Sequence, residues 1–248
     1  MIKKIVPYIN HKKSVKLLLP YFEEFLKQEA CTTKRFSVKK ENFYPQLKDN
    51  SNNTAFDRHY IYHPAWAARI LKEINPSVHV DISSTVHFCS IVSAFIPIKF
   101  YDYRPAEIVL TNLSSEFQNL TELSFENDSI ESLSCMHTIE HVGLGRYGDP
   151  LNYNGDLTAM KELARVLKPK GNLLFVVPVG NEAKIFFNAH RIYTKMQVVL
   201  HMKSFGLKLH EFSLIPDLPE DGGIVKSPSD DLLAKQNYGC GCFWFTKI

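Results

Sequence analysis

The densest chemistry in the chain lies in His137-Thr-Ile-Glu140-His141-Val-Gly-Leu-Gly145. His137 and His141 are four residues apart, so on a helical turn they share a face, with Glu140 beside them. Two imidazoles and a carboxylate suit Zn²⁺, Mn²⁺ or Fe²⁺; Mg²⁺ prefers more oxygen. The same residues also read as a general base with a carboxylate fixing its tautomer. His190, in Asn188-Ala-His-Arg191, is the candidate fourth ligand. Upstream, Asp57-Arg-His-Tyr60-Ile-Tyr-His63 is dense in polar aromatics. It is expected either to close over a crevice as a lid or to be an amphipathic joint that satisfies its own hydrogen bonds.

These residues need a scaffold, and from residue 78 a strand–helix alternation provides one. Val78–Ile82 reads as a buried strand, Ser84–Phe95 as the helix after it, and Ile98–Asp102 as a second strand. Ser129–Met136 is a short strand ending at His137. Leu157, Met160, Leu163, Ala164 and Leu167 recur at helical spacing, and Lys168-Pro-Lys-Gly stops that helix. Asn172–Pro178 is a continuous apolar strand of the parallel-sheet kind. A helix over 195–205, a strand over 207–215 and a terminal strand over 241–246 complete the pattern. Strands alternating with helices predict a doubly wound, mostly parallel α/β sheet, and the last strand, reached without a long helix, is expected to be antiparallel. Ligands of such sheets bind beyond the carboxyl ends of the strands. Asp81, Asp102 and His137 fall there. Asp102 could accept two hydrogen bonds from ribose hydroxyls or simply cap a turn.

Residues 1–62 are expected to form a helical extension or lid, with Ser14 capping a helix that Pro20 kinks or restarts. Residues 63–248 are expected to form the main domain, with Pro64 at its first helix start. The chain has 248 residues, 45% of them hydrophobic and 22% charged, which excludes wholesale disorder. Its 29 Lys+Arg against 26 Asp+Glu leave a formal charge of +3, too small and too dispersed for a nucleic-acid or anionic-membrane surface. Five scattered cysteines show neither a CxxC nor a metal-ribbon spacing, and Cys240-Gly-Cys242 would point both thiols the same way on a strand. Reduced thiols, the lack of a signal-type apolar segment and the polar residues within 82–98 predict a cytoplasmic protein without stable membrane insertion.

Two segments carry a resemblance. Leu123-Ser-Phe-Glu-Asn-Asp-Ser-Ile-Glu…His-Thr-Ile-Glu-His is similar to the "LPF-x-x-x-SFD…LEH" stretch of class I S-adenosylmethionine-dependent methyltransferases. Glu162-Leu-Ala-Arg-Val-Leu-Lys-Pro-Lys-Gly-Asn-Leu resembles their "E-x-x-R-V-L-K-P-G-G-x-L". The resemblance covers roughly 76–247. It extends to an uncharacterised subfamily found beside surface-polysaccharide genes through Phe56-Asp-Arg-His-Tyr, Trp66-Ala-Ala-Arg, His79-Val-Asp-Ile-Ser-Ser, Gly143-Leu-Gly-Arg-Tyr-Gly-Asp-Pro and Phe187-Asn-Ala-His-Arg.

That resemblance implies a Rossmann-like, seven-stranded sheet and S-adenosylmethionine as cofactor. It implies Asp81, Ser83 and Ser84 near the methionine part, Asp102 on the ribose, Tyr103 beside the adenine, Asn119 and Leu120 at the adenine, and His137 near the sulfonium. Tyr60 would close over the cofactor as part of the lid. Some O-methyltransferases of this fold carry a "Glu-x-x-Glu-His…His" metal set, which here would be His137, Glu140, His141 and His190. The implied reaction is methylation of a hydroxyl on a small-molecule or saccharide acceptor, with His137 or His141 as base, and a homodimer is left open. The family's glycine-rich first loop is replaced by Asp81-Ile-Ser-Ser-Thr-Val-His, which contains no glycine. The alternative is therefore a catalytically degenerate partner subunit of the same fold. The absence of G-x-G-x-x-G also argues against a nicotinamide dehydrogenase.

Overall fold

The computed structural model describes residues 5–33, 35–46 and 49–248, with side chains from residue 15 onward. They fall into two compact units, residues 1–56 and 57–248. In the first, helix α1 (Ile5–Ala30) contains Pro20 without a break, so the helix does not restart there. The helix also begins nine residues before Ser14, whose side chain lies outside the described residues. Phe22 packs against Phe43, their rings 4.9 Å apart.

The second unit opens on α2 (Arg58–Ile74). Its start was expected at Pro64, but Asp57 caps it, accepting the Tyr60 N–H at 3.1 Å. Pro64 removes one backbone donor in the second turn, and the buried face of His63, Trp66, Ala67, Ile70 and Leu71 holds the helix regardless. The residue 62/63 boundary thus falls inside this helix. Asn75, left-handed at φ 43°, ends it.

The strands that follow in chain order are β1 (His79–Ile82), β2 (Ile98–Asp102), β3 (Leu113–Phe117), β4 (Ile130–Met136), β5 (Leu167–Val179), β6 (Lys184–Phe186), β7 (His190–Ile192), β8 (Leu207–Ile215), β9 (Val225–Lys226) and β10 (Gly239–Lys247). The helices among them are α3 (Val86–Val92), α4 (Gly155–Val166), α5 (Lys195–Ser204) and α6 (Asp230–Ala234). Eight strands form one sheet in the order β3-β2-β1-β4-β5-β10-β8-β9, and β6 and β7 form a separate hairpin. The β3-to-β5 half is parallel, and β10 runs antiparallel between β5 and β8. This is the doubly wound α/β sheet that the alternation predicts, widened from seven strands to eight by the two-residue edge strand β9. Strands β3 and β6 and helix α6 are short and largely exposed, and β7 has only three residues, so none carries a clear periodic signal.

Period-two alternation places the core on both faces. Leu173, Phe175 and Val177 of β5 join Phe243 and Phe245 of β10 under α4 and α5. Leu174 and Val176, with Cys240, Cys242 and Trp244, pack under α2 and α3. Every one of these is at most 6% exposed, which explains why the strands read as continuous apolar runs. Among the described residues no helix is long and apolar enough to cross a membrane.

Candidate functional site

At the carboxyl ends of β1, β2 and β4, where the strand order reverses, the second unit has a cavity of about 360 Å³. That size lies within the roughly 300–1,000 Å³ of small-molecule sites. Ser83, Asp102, Tyr103, Asn119, Leu120, His137 and His141 line it, so seven residues singled out in the sequence meet at one crevice. Tyr60, Asp81, Ser84, Glu140 and His190 do not line it.

The turn after β1 is built around Asp81. Wholly buried, this side chain accepts the Ser84 N–H at 3.0 Å and a short hydrogen bond from the Ser134 hydroxyl. Burial raises its pKa from 3.8 to about 6. Ser134 also meets His79 Nε2 at 2.8 Å, while Ser132 meets its Nδ1 at 2.7 Å. Burial lowers the His79 pKa to about 3. Asp81 therefore shapes the loop from beneath. Ser84 does the same, its hydroxyl accepting the Met136 N–H at 3.0 Å. Ser83 is the residue that reaches the cavity. It holds φ 57°, the left-handed conformation that the first glycine of a glycine-rich loop would supply. Thr138 fixes this strained turn by donating its hydroxyl proton to the Ser83 carbonyl at 2.7 Å. Thr85 then caps α3, accepting the Phe88 N–H at 3.2 Å.

Asp102 ends β2. Its Oδ1 accepts the Arg104 N–H at 2.7 Å, and its Oδ2 carries no hydrogen bond among the described residues. Asn119 Oδ1 is bound locally, accepting from the Thr121 N–H and hydroxyl at 3.1 and 2.9 Å. These groups fit a polar, diol-bearing ligand: an acidic acceptor at a strand end with one oxygen available, and beside it a turn whose backbone is held open.

His137 and His141 do not share a helical face. His137 is left-handed at φ 55°, and only a short 3-10 turn, Ile139–His141, follows, so the i,i+4 geometry of a helix never forms. The turn instead tucks Glu140 between them, its Oε1 2.8 Å from His137 Nδ1 and 3.8 Å from His141 Nε2. His141 Nδ1 lies 2.6 Å from the Ala189 carbonyl, which Arg146 also bonds at 2.8 Å. Arg146 Nη1 also lies 3.1 Å from the same His141 Nδ1, so the Ala189 carbonyl and the guanidinium compete for that nitrogen. Burial lowers the His141 pKa below its usual 6.5, so the ring is neutral at pH 7. His190 packs instead on Tyr238 and Phe186, with ring centroids 5.0 and 5.5 Å apart. Of His137, Glu140, His141 and His190, only the first two are directly bonded. The close group of metal-capable atoms among the described residues is a different one, His59, His137 and Cys240.

The lid candidates belong to the first turn of α2. Tyr60 and His59 pack against His137 at 5.3 and 5.2 Å, and burial raises the Tyr60 pKa to about 12. Sequence reasoning missed the other wall. Gly143, Tyr147, Asp149 and Asn152 line the cavity from the loop after the histidine turn. Asp149 Oδ2 accepts the Gly143 N–H at 2.7 Å, and a Cβ on Gly143 would sit 2.1 Å from the Asn152 carbonyl oxygen, so only glycine fits at its φ of 79°. Buried Arg191 ties this loop to β7, donating to the carbonyls of Val142 at 2.7 Å and Tyr153 at 3.0 Å. The signal was present: Gly143-Leu-Gly-Arg-Tyr-Gly-Asp-Pro and His190-Arg191 were both recognisable motifs, but their packing partners were not.

No functionally curated protein is significantly similar in sequence. Among solved structures, a protein from Galdieria sulphuraria provisionally named a sarcosine dimethylglycine methyltransferase matches with a TM-score of 0.54 at 14% identity, covering 74% of this chain and 84% of that one. The Burkholderia thailandensis 1,6-didemethyltoxoflavin-N1-methyltransferase, solved with 1,6-didemethyltoxoflavin and S-adenosylhomocysteine bound, matches at 0.52 and 10% identity, covering 75% and 78%. These likenesses show that the fold is the Rossmann-like fold of S-adenosylmethionine-dependent methyltransferases. A family model covers residues 84–216, just over half of the sequence, and the chain therefore belongs to the DUF268 family, described as "Caenorhabditis protein of unknown function".

Proposed function

We propose that this chain is an S-adenosylmethionine-dependent methyltransferase acting on a hydroxyl of a small polar acceptor, saccharides being the class favoured by the sequence resemblance to a surface-polysaccharide-associated subfamily. The observation that carries the reading is the convergence of the Ser83 turn, Asp102 and His141 on one cavity at the switch point of the sheet. Ser83, Asp102, Tyr103 and Asn119 would hold the cofactor. When bound, it supplies an electrophilic methyl group. Neutral His141, which lines the cavity, takes the acceptor hydroxyl proton on its imidazole. His137 is less suited, because Nδ1 faces Glu140 and Nε2 is buried. Arg104, its guanidinium 4.7 Å from the Tyr147 ring centroid, helps exclude water from the mouth.

The glycine-free first loop favours a second reading, a binding subunit without cofactor affinity. The left-handed Ser83 weighs against it, since the backbone shape of the loop is retained. Calorimetry with S-adenosylhomocysteine separates them: micromolar binding is expected, and no heat at millimolar ligand overturns the enzyme reading. With an acceptor found, His141→Gln should lower kcat by about 10²–10⁴ while leaving cofactor affinity intact.

A further inference from the structure

Beside the cavity, α2, the turn after β4 and the first residues of β10 bring His59, His137 and Cys240 together, with His63 outside that close group but against His137. One ligand atom each of His59, His137 and Cys240 lies within 4.8 Å of the other two. His63 follows His59 by one helical turn, and its ring packs edge-on against His137 at 5.0 Å. Each histidine commits one nitrogen to an oxygen acceptor. His63 Nδ1 meets the His59 carbonyl at 2.7 Å, His137 Nδ1 meets Glu140 Oε1 at 2.8 Å, and His59 bonds the Tyr238 backbone. Such bonds fix tautomer and ring orientation in metal-ligating histidines. They leave His63 Nε2 and His137 Nε2 as buried lone pairs, and neither has a hydrogen-bond partner. The two side chains are essentially sealed from solvent. Orphaned acceptors at this depth are costly, and the two rings that carry these are in contact with each other.

We propose that His59, His63, His137 and Cys240 bind a Zn²⁺ ion as a closed, four-ligand site that pins α2 to the carboxyl edge of the sheet. Three imidazole nitrogens and one thiolate are a donor set zinc accepts in tetrahedral geometry. Ligand atoms on such an ion sit about 3.3–3.6 Å apart, as follows from Zn–N and Zn–S bonds of about 2.0–2.3 Å. His59, His137 and Cys240 must draw in from their 4.8 Å grouping, and His63 must turn toward them, to reach that spacing. On binding, the Cys240 S–H bond breaks, the sulfur keeps the electron pair for the metal, and the proton passes to solvent. The site shares His137 with the wall of the cavity, but none of its chemistry involves the cofactor.

The test is a titration of chelator-stripped, full-length protein with Co²⁺. One equivalent should give tetrahedral d–d bands and a thiolate-to-cobalt charge-transfer band, release one proton, and be displaced by Zn²⁺. Cys240→Ser should abolish the charge-transfer band, and Cys242→Ser should leave it. His63→Gln, whose amide can still bond the His59 carbonyl, should weaken metal binding by more than the roughly 10-fold of a lost outer-shell contact. Absence of bands and proton release in the wild type overturns the proposal and leaves a buried water as the partner of the two nitrogens. Weak octahedral bands alone, or loss of the charge-transfer band in Cys242→Ser only, overturn the ligand assignment. S-adenosylhomocysteine binding is measured in the same samples, so failure of the metal site and failure of the cofactor reading are read separately.

Discussion

His137 Nδ1 lies 2.8 Å from Glu140 Oε1, with both side chains at most 3% exposed. The carboxylate fixes which imidazole nitrogen carries the proton and leaves Nε2 as the unpartnered nitrogen of a ring packed against His63. Glu140→Gln keeps the shape and weakens the acceptor. It should lower Zn²⁺ affinity by about 10–100-fold, measured by competition with a chromophoric chelator. Unchanged affinity would remove Glu140 from the support of that site.

Asp102 is expected to hold a ligand diol through charge-assisted hydrogen bonds. Asp102→Ala should weaken S-adenosylhomocysteine binding by about 1.5–3 kcal/mol, roughly 10–150-fold, by calorimetry. Wild-type affinity in the variant would place the ribose elsewhere.

Ser83 pays for its left-handed backbone. Ser83→Gly should raise stability by about 1 kcal/mol, a Tm increase of roughly 2–4 °C, because glycine adopts φ 57° without the Cβ clash. Ser83→Val should lower Tm by more than that amount. A thermal melt in which glycine is neutral and valine harmless would mean the turn carries no strain.

Two buried groups set opposing pH dependences. In the folded chain burial holds the His79 pKa near 3 against 6.5 unfolded. Its contribution is complete above pH 6.5 and is lost as pH falls toward 3, up to about 4–5 kcal/mol. Asp81, raised from 3.8 to about 6, works the other way: it favours the folded state below pH 3.8, and that contribution is lost as pH rises through 6, about 3 kcal/mol. Urea unfolding at pH 7 and pH 4 should show the His79→Asn protein losing less stability in acid than the wild type. Equal losses would show that His79 is not the group responsible.

Much of the fold was legible in sequence because its strands are buried on both faces. Asn172–Pro178 and Ser129–Met136 read as inner strands, and Lys168-Pro-Lys-Gly had to end the helix between them. The crevice followed, since Asp102 ends β2 and His137 follows β4, at and beside the switch point between β1 and β4. What the sequence determined, then, was local: periodicity, caps and which residues stand at strand ends. Tertiary structure decided the rest. The helical spacing of His137 and His141 was overruled by one left-handed φ at His137, which depends on how the turn packs against Glu140. Asp81 faces inward because Ser134, 53 residues away, supplies its hydrogen bond. His59, His63 and Cys240 meet His137 only because antiparallel β10 enters the sheet beside β5 and starts at the carboxyl edge, under the first turn of α2. Contacts between residues separated by 53 to 103 positions leave no periodic trace, and only the closed sheet brings them together.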